Sequence, residues 1–558
     1  MVGLLFPEFF FTHSVNADVN KTVSMGVSPS PGLPPMVPLI PDIDLISDIL
    51  FYSKINILEL SRAMFKTIYQ QVPPKALIHI FVSNHKVLCM FEEEEFNDLD
   101  FDSQLKRFED ILKDGRSVYF DVEVFEEIID HFIGHNEYKK ALRGLEMALT
   151  QHPGNANLLL LKADLYLSTG KLSKSLECLT LVEQIEPYNS EVFVLKANVY
   201  SQQRKFEEAI YFLKQAIKFA EEEDKVELYI DLAVEYENAE KYLKAISCLR
   251  HALELSPENE TAMYEISYCF EISGKNTEAI EFYRAFIDEQ PYSYLAWHNL
   301  GTALIKDGKL IEAVDAFDYC LAIKDDFSTA HFNKATVLMM DEKFHEAINH
   351  FTETIIRDEA LPLTFLYLGE CYEKTNELVL AEQNYLRAIE LDEEFAESYV
   401  AMALLKMTTG HHIESDFYIT KAISLDPQNP DFWYINAEVC ENAGQVEKAN
   451  LAYQKAISLD EKNVEILVDY SNFIQNLEGL DSAIELMLEK EFEFNTNELF
   501  NYRLSAMYYM YGKLQLAYKY FERGLEINSN NYNSAFEFYP QMENDQHILY
   551  LINSNFNA

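Results

Sequence analysis

AWHNLGTALIKDGKLIEAVDAFDYCLAIK, residues 296–324, reads as two short amphipathic helices joined at Gly308. Ala296, Leu300, Gly301 and Leu304 recur at spacings of three and four, as do Ala313, Ala316, Phe317 and Cys320. That periodicity puts each set on one helical stripe. A glycine between the stripes suits the left-handed residue that ends an α-helix. The small residues let two helices approach closely, and Phe317 fills the space beside them.

The pattern returns along the chain. Its second-helix small residue falls at Ala141, Ser175, Ala209, Ala245, Ala279, Ala313, Ala347, Ala381, Ser415, Ala449, Ala483 and Ala517. Every interval is 34 residues except one of 36, between Ala209 and Ala245, where AEEEDKVE lengthens the connection. Twelve units follow, over residues 122–531. In the first half a small residue such as Ala163, Ala197, Ala233 or Gly369 has Tyr166, Tyr200, Tyr236 or Tyr372 three positions on. Gly170, Gly274, Gly308, Gly410, Gly444 and Gly512 stand between halves, and Pro153, Pro187, Pro257, Pro291 and Pro427 follow the second half, where a helix cannot continue. One hairpin alone exposes too much apolar surface, whereas a stack buries it. The expected class is all-α, an α-solenoid of stacked helical hairpins.

This closely resembles the tetratricopeptide repeat (TPR) family, whose Trp, Leu-Gly, Gly, Ala and Phe positions are met by Trp297, Leu300, Gly301, Gly308, Ala313 and Phe317. Units near Val464 and Glu498 depart most, with Ser471 and Ser505 at the usual Gly or Ala position. The resemblance implies a right-handed superhelix whose concave groove, lined by the first helices, takes up peptides or partner domains.

At 558 residues the chain exceeds a single core. It carries 45 Lys plus Arg against 92 Asp plus Glu, a net charge of −47. Residues 1–89 are balanced, with six of each sign, so the whole excess lies from Met90 onward. Such a field repels phosphate backbones and anionic lipid surfaces and favours basic partners, so no nucleic acid and no membrane insertion are expected. Seven scattered cysteines without a C-x-x-C pair read as reduced thiols in a cytoplasmic protein.

Residues 1–89 form a Pro-rich extension with nine of the 17 prolines, expected to be poorly structured. Three readings stay open for it: a start at Met90, a functional tail, or a secretion signal, the last opposed by the lack of Lys or Arg before Lys21. Residues 90–121 are expected to be an acidic segment and capping helix. Asp102 or Ser103 would start that helix, Gly115 would stop it, and Leu105, Phe108 and Leu112 would cover the first hairpin. Residues 532–558 are expected to cap the other end through Phe536, Phe538, Met542, Leu549 and Ile552.

No phosphate-binding, nucleophile-elbow or zinc-protease motif occurs, so no enzyme, metal or cofactor is expected. In HEAINH, the histidines at 345 and 350 point about 140° apart on a helix and cannot share a metal. His411-His412 reads as a solvated turn.

Mapping the family's groove positions onto each first helix gives an acidic series. It runs Glu126, Glu127, Asp130, Asp164, Glu227, Asp231, Glu237, Glu265, Glu271, Glu370, Glu373, Asp431, Glu438, Glu441 and Asp469. The candidate partner-binding residues implied by the resemblance are Asp231, Tyr264, Glu265, Tyr268, Glu271, Asn299, Phe332, Asn333, Tyr367, Glu370, Tyr434 and Glu438. Carboxylates with tyrosine platforms would suit a Lys/Arg-containing segment; a uniformly acidic surface would give the same series. The expected function is a non-enzymatic interaction scaffold or adaptor, the alternative a chaperone-like holder or regulator of one basic client.

Overall fold

A computed structural model describes residues 98–114, 118–357 and 361–556. Expectations for residues 1–97, including the Met90 start and the acidic run, and for Gly115, lie outside the described residues. The described residues fall into two compact units, one ending at Leu228 and the other beginning at Tyr229.

The first unit holds α1 (Asp98–Asp114) and three hairpins: α2 (Val122–Gly134) with α3 (Tyr138–Gln151), α4 (Ala156–Ser168) with α5 (Leu172–Ile185), and α6 (Ser190–Gln202) with α7 (Phe206–Phe219). Helix α8 (Lys225–Asn238) carries the chain onward. It pairs with α9 (Tyr242–Leu255). Next come α10 (Glu260–Ile272) with α11 (Asn276–Glu289), α12 (Tyr294–Lys306) with α13 (Leu310–Ile323), and α14 (Ser328–Met340) with α15 (Phe344–Arg357). Then follow α16 (Pro362–Lys374) with α17 (Leu378–Leu391), α18 (Ala396–Thr408) with α19 (His412–Leu425), and α20 (Pro430–Asn442) with α21 (Val446–Leu459). The last hairpins are α22 (Val464–Leu477) with α23 (Leu480–Glu489), and, after the short α24 (Glu491–Phe494), α25 (Glu498–Met510) with α26 (Leu514–Ile527). Helices α27 (Asn533–Phe538) and α28 (Gln546–Phe556) end the chain. Within each unit consecutive helices pack on each other, and no strand occurs among the described residues.

The twelve hairpins sit in the register of the small residues. Eleven of those marking alanines and serines, from Ala141 to Ala517, are fully buried at 0% exposure and the other, Ala279, is at 3%. The aromatic contact fixes the separation within a pair: a Cβ on Gly301 would lie 2.7 Å from the Phe317 ring, and one on Gly369 would press still closer on Tyr385. Trp297 stacks on Tyr319 at 4.4 Å between ring centroids, and its Nε1 donates to the Pro291 carbonyl at 2.9 Å.

Eleven of the twelve pairs turn in the same way. Gly308 takes φ +73°, its N–H donating to Ile305 O at 2.9 Å while Lys309 N–H reaches back to Leu304 O at 2.9 Å. These bonds satisfy carbonyls that the helix end leaves without partners. Where glycine is missing, Asn136, Arg204, Glu240, Glu342 and Asn376 adopt the same left-handed conformation. The turn is therefore dictated by hairpin packing and only made easier by glycine. Asn155, Asn259, Ser293 and Asn497 accept a backbone N–H of the first helical turn and so fix where several first helices begin.

At the N-terminal side, Phe108 is fully buried against Phe125 and Phe132, with Leu105 and Leu112 partly buried on the same cluster. Helix α1 begins at Asp98 rather than at Asp102 or Ser103, because one further turn lets Phe101 pack beside His131. At the C-terminal side, Met542 and Ile552 are buried on Tyr502 and Phe521, with Phe536 and Phe538 beside them. Leu549 stays exposed: the i, i+3, i+4 stripe of α28 that faces inward is Ile548, Leu551 and Ile552. The unit near Val464 does depart, with a second helix cut to ten residues behind Gly479 at φ +105°.

Gly369→Ala should overpack the α16–α17 pair and lower stability by about 1–3 kcal/mol in urea unfolding. Gly134→Ala, where nothing lies within 4 Å of the new Cβ, serves as the control and should not destabilise.

Candidate functional site: the first-helix face of the second unit

All twelve candidate residues belong to the second unit, and the structure distributes them over four clusters rather than one site. The first joins α8 and α10. Glu237 accepts the Cys269 thiol at 3.1 Å and faces Glu265. Burial, then the neighbouring Glu265 carboxylate, pushes Glu237 up to about 7, and burial raises Glu265 as well. Tyr264 is exposed and Tyr268 half-buried, while Glu271 is held by Lys306 at 2.5 Å. Asp231 lies half-buried on α8.

The second cluster is internal. Asn333 Nδ2 donates to His298 Nε2 at 3.0 Å, His298 Nδ1 donates to Asn299 Oδ1 at 3.1 Å, and Asn299 Nδ2 donates to Met263 O at 3.1 Å. This chain closes only with His298 neutral and protonated on Nδ1. Burial pushes His298 down to about 4. Asn299 and Asn333 are buried, so these amides tie first helices together instead of facing a partner.

In the third cluster Phe332 stacks on Tyr367 at 6.0 Å and meets Phe351 edge-on. Tyr367 is 7% exposed, and the half-buried Glu370 beside it is pushed up to about 7 by burial and then by Glu373. Tyr385 Oη donates to Glu373 Oε2 at 2.9 Å. The fourth repeats this design two units on. Tyr453 Oη donates to Glu441 Oε2 at 3.0 Å, Tyr434 Oη to Asp469 Oδ2 at 2.6 Å, and burial with Asp469 and Glu441 holds Glu438 at about 7.

The structure corrects the expected tyrosine platforms. Tyr367 and Tyr434 are buried between adjacent helices, with their hydroxyls or ring edges engaged, and of the four tyrosines only Tyr264 presents an exposed ring. The acidic part is more specific than expected: tyrosines twelve residues on hold Glu373 and Glu441 in place while Glu370 and Glu438, three residues before them, stay near neutrality.

Two groups escaped the sequence reading. Arg503 is 1% exposed, its Nε donating to Ser471 Oγ at 3.0 Å and its terminal nitrogen to Gln475 Oε1 at 2.8 Å. It occupies the position of Asn299, Asn333 and Asp469 in its own repeat, which register alone could have shown. His350, dismissed with His345 as a failed pair, meets His331 of the facing helix at 3.0 Å between Nδ1 atoms. Spacing within one helix could not reveal that partner. His411 and His412 are exposed as expected.

The geometry is that of a repeat protein made of two-helix hairpins. Tetratricopeptide repeat family models match residues 132–199, 190–223, 230–294 and 396–429. Over those residues the chain carries tetratricopeptide repeats. No curated protein matches it. Among solved structures, it is similar to yeast Tom70 at 15% identity, covering 77% of this chain and 98% of that one with a TM-score of 0.38. Similarity to the Cut9–Hcn1 hetero-tetramer of the APC/C is 12% over 76% and 96%, TM-score 0.35. YrrB, described as a TPR protein with an unusual peptide-binding site, is 22% identical over 33% of this chain and 95% of its own, TM-score 0.29. No helix among the described residues is long and apolar enough to cross a membrane.

The buried titratable groups set a pH profile. Glu237, Glu370 and Glu438 bind protons more tightly folded than unfolded, so they stabilise the fold as pH falls through 7 toward the ordinary carboxylate range. His298 and His350, both pushed down to about 4, resist protonation when folded and cost stability as pH falls from about 6.5 toward 4. Melting temperature should therefore rise from pH 8 to about 6.5 and more slowly below it, where three carboxylates outweigh two histidines, and Glu237→Gln with Glu370→Gln and Glu438→Gln should abolish the rise and leave a fall below about pH 6.5.

Proposed function

We propose that this chain is a non-enzymatic scaffold or adaptor whose first-helix face in the second unit takes up a Lys/Arg-containing segment of a partner protein. Tetratricopeptide repeats serve protein–protein interaction in general, and the finer assignment rests on one observation. Glu237, Glu370 and Glu438 are half-buried acids held near neutrality by burial and by the carboxylates beside each, Glu265, Glu373, and Asp469 with Glu441. A guanidinium or ammonium docked there would let them ionise, and the low-dielectric setting strengthens that attraction. The −47 charge steers a basic partner toward the chain and discourages nucleic acid. Six described cysteines, buried and in no disulfide, suit a reducing, cytoplasmic setting.

A second reading, the dedicated holder of one basic client, draws on the same carboxylates and differs in stoichiometry. Affinity purification from the native lysate, washed at low and high salt, separates the two. One dominant basic protein released by salt, and lost from Glu237→Gln/Glu370→Gln/Glu438→Gln, supports the holder. Several basic proteins behaving so support the adaptor. A salt-resistant set retained by the triple variant removes the carboxylates from the account.

A further inference from the structure

The second helices present their outer side away from the first-helix face. Two residues before and two after each marking small residue point about 160° from it, so they project from the buried side of the helix. On three successive second helices four of those six positions are apolar, Val379 on α17, Ile413 and Phe417 on α19, and Leu451 on α21, with Gln383 and Glu447 at the other two. Their exposures are 71, 90, 64 and 65%. They present apolar area on the order of 500 Å², at the upper end of what a monomer's largest patch shows.

The charge around this stripe is close to balanced. Helices α17, α19 and α21 carry five acids and four bases, against three acids and no base on α13. Four of the five acids are paired: Glu382 and Glu414 both with Lys406 at 2.6 and 2.9 Å, Glu390 with Arg387 at 2.9 Å, and Asp416 with Lys448 at 3.5 Å. Three of these pairs, two through Lys406 of α18 and one through Lys448 of α21, also link the three helices into one surface.

The geometry points to this stripe as the interface with a second copy of the chain. Two bodies each carrying −47 repel over most of their surfaces and can meet at low cost only where charge is internally cancelled, as it is here. A two-fold axis lying across α19 at Ser415 sets Ile413 of each copy against Phe417 of the other, the reciprocal contact an isologous interface requires. Leu380, Leu386 and the paired charges form a rim that extends the face toward the roughly 800 Å² per partner of a stable dimer.

Sedimentation equilibrium of the full chain at rising concentration and two salt levels tests this. The expected result is a monomer–dimer equilibrium tightened by salt, because screening removes the residual repulsion while the apolar contact persists. Groove binding of a basic client should respond to salt in the opposite sense. Ile413→Ser/Phe417→Ser, and independently Val379→Ser/Leu451→Ser, should weaken dimerisation about tenfold or more at unchanged circular dichroism. Ile311→Ser, an equally exposed apolar residue on α13, should leave it unchanged. A wild-type chain monomeric throughout, a dimer loosened by salt, or a dimer indifferent to both double substitutions would overturn the assignment.

Discussion

The contact on which the structure depends is an aromatic ring seated against a helix stripped of side chain. Phe317 over Gly301 and Tyr385 over Gly369 set how close the helices of a hairpin lie, and Tyr502 against Gly524 repeats the contact with the roles of the two helices exchanged. That closeness buries the marking alanines and serines and forces the turn, so that Glu240 and Glu342 accept a left-handed conformation better suited to glycine. Adjacent hairpins then stack because each leaves an apolar side uncovered, and stability accumulates through nearest neighbours.

The same closeness shapes the chemistry of the first-helix face. Side chains at its recurring positions are trapped between neighbouring helices, where water is scarce. Amides there become internal ties, as Asn299 and Asn333 do around His298. Carboxylates there become strained acids, as Glu370 and Glu438 do beside Glu373 and Glu441. Burial thus turns a generally acidic composition into particular carboxylates poised to respond to a cation.

The fold was legible because its determinants are local and repeated: a small residue at 34-residue intervals with one of 36, an aromatic or large apolar residue four on, a turn between. One unit would have been ambiguous, whereas twelve in register exclude other periods. The candidate face was legible in outline only. Register identifies which positions recur on first helices, but the fate of each side chain depends on residues in the next repeat. Tyr434 turns inward because Asp469, 35 residues later, accepts its hydroxyl, and His350 finds His331 on another helix. Arg503 was hidden by its departure from the acidic series, and Leu549 by the one-residue ambiguity of a short helix with apolar neighbours on both sides.

The central claim is that half-buried glutamates near neutrality receive a basic segment and ionise as they do so. Calorimetric titration of the full chain with a Lys/Arg-rich peptide at pH 7, in two buffers of different ionisation enthalpy, counts the protons exchanged on binding. The account predicts net proton release to the buffer, lost together with affinity when Glu237, Glu370 and Glu438 are replaced by glutamine. Binding without proton release, or binding indifferent to those replacements, would contradict it.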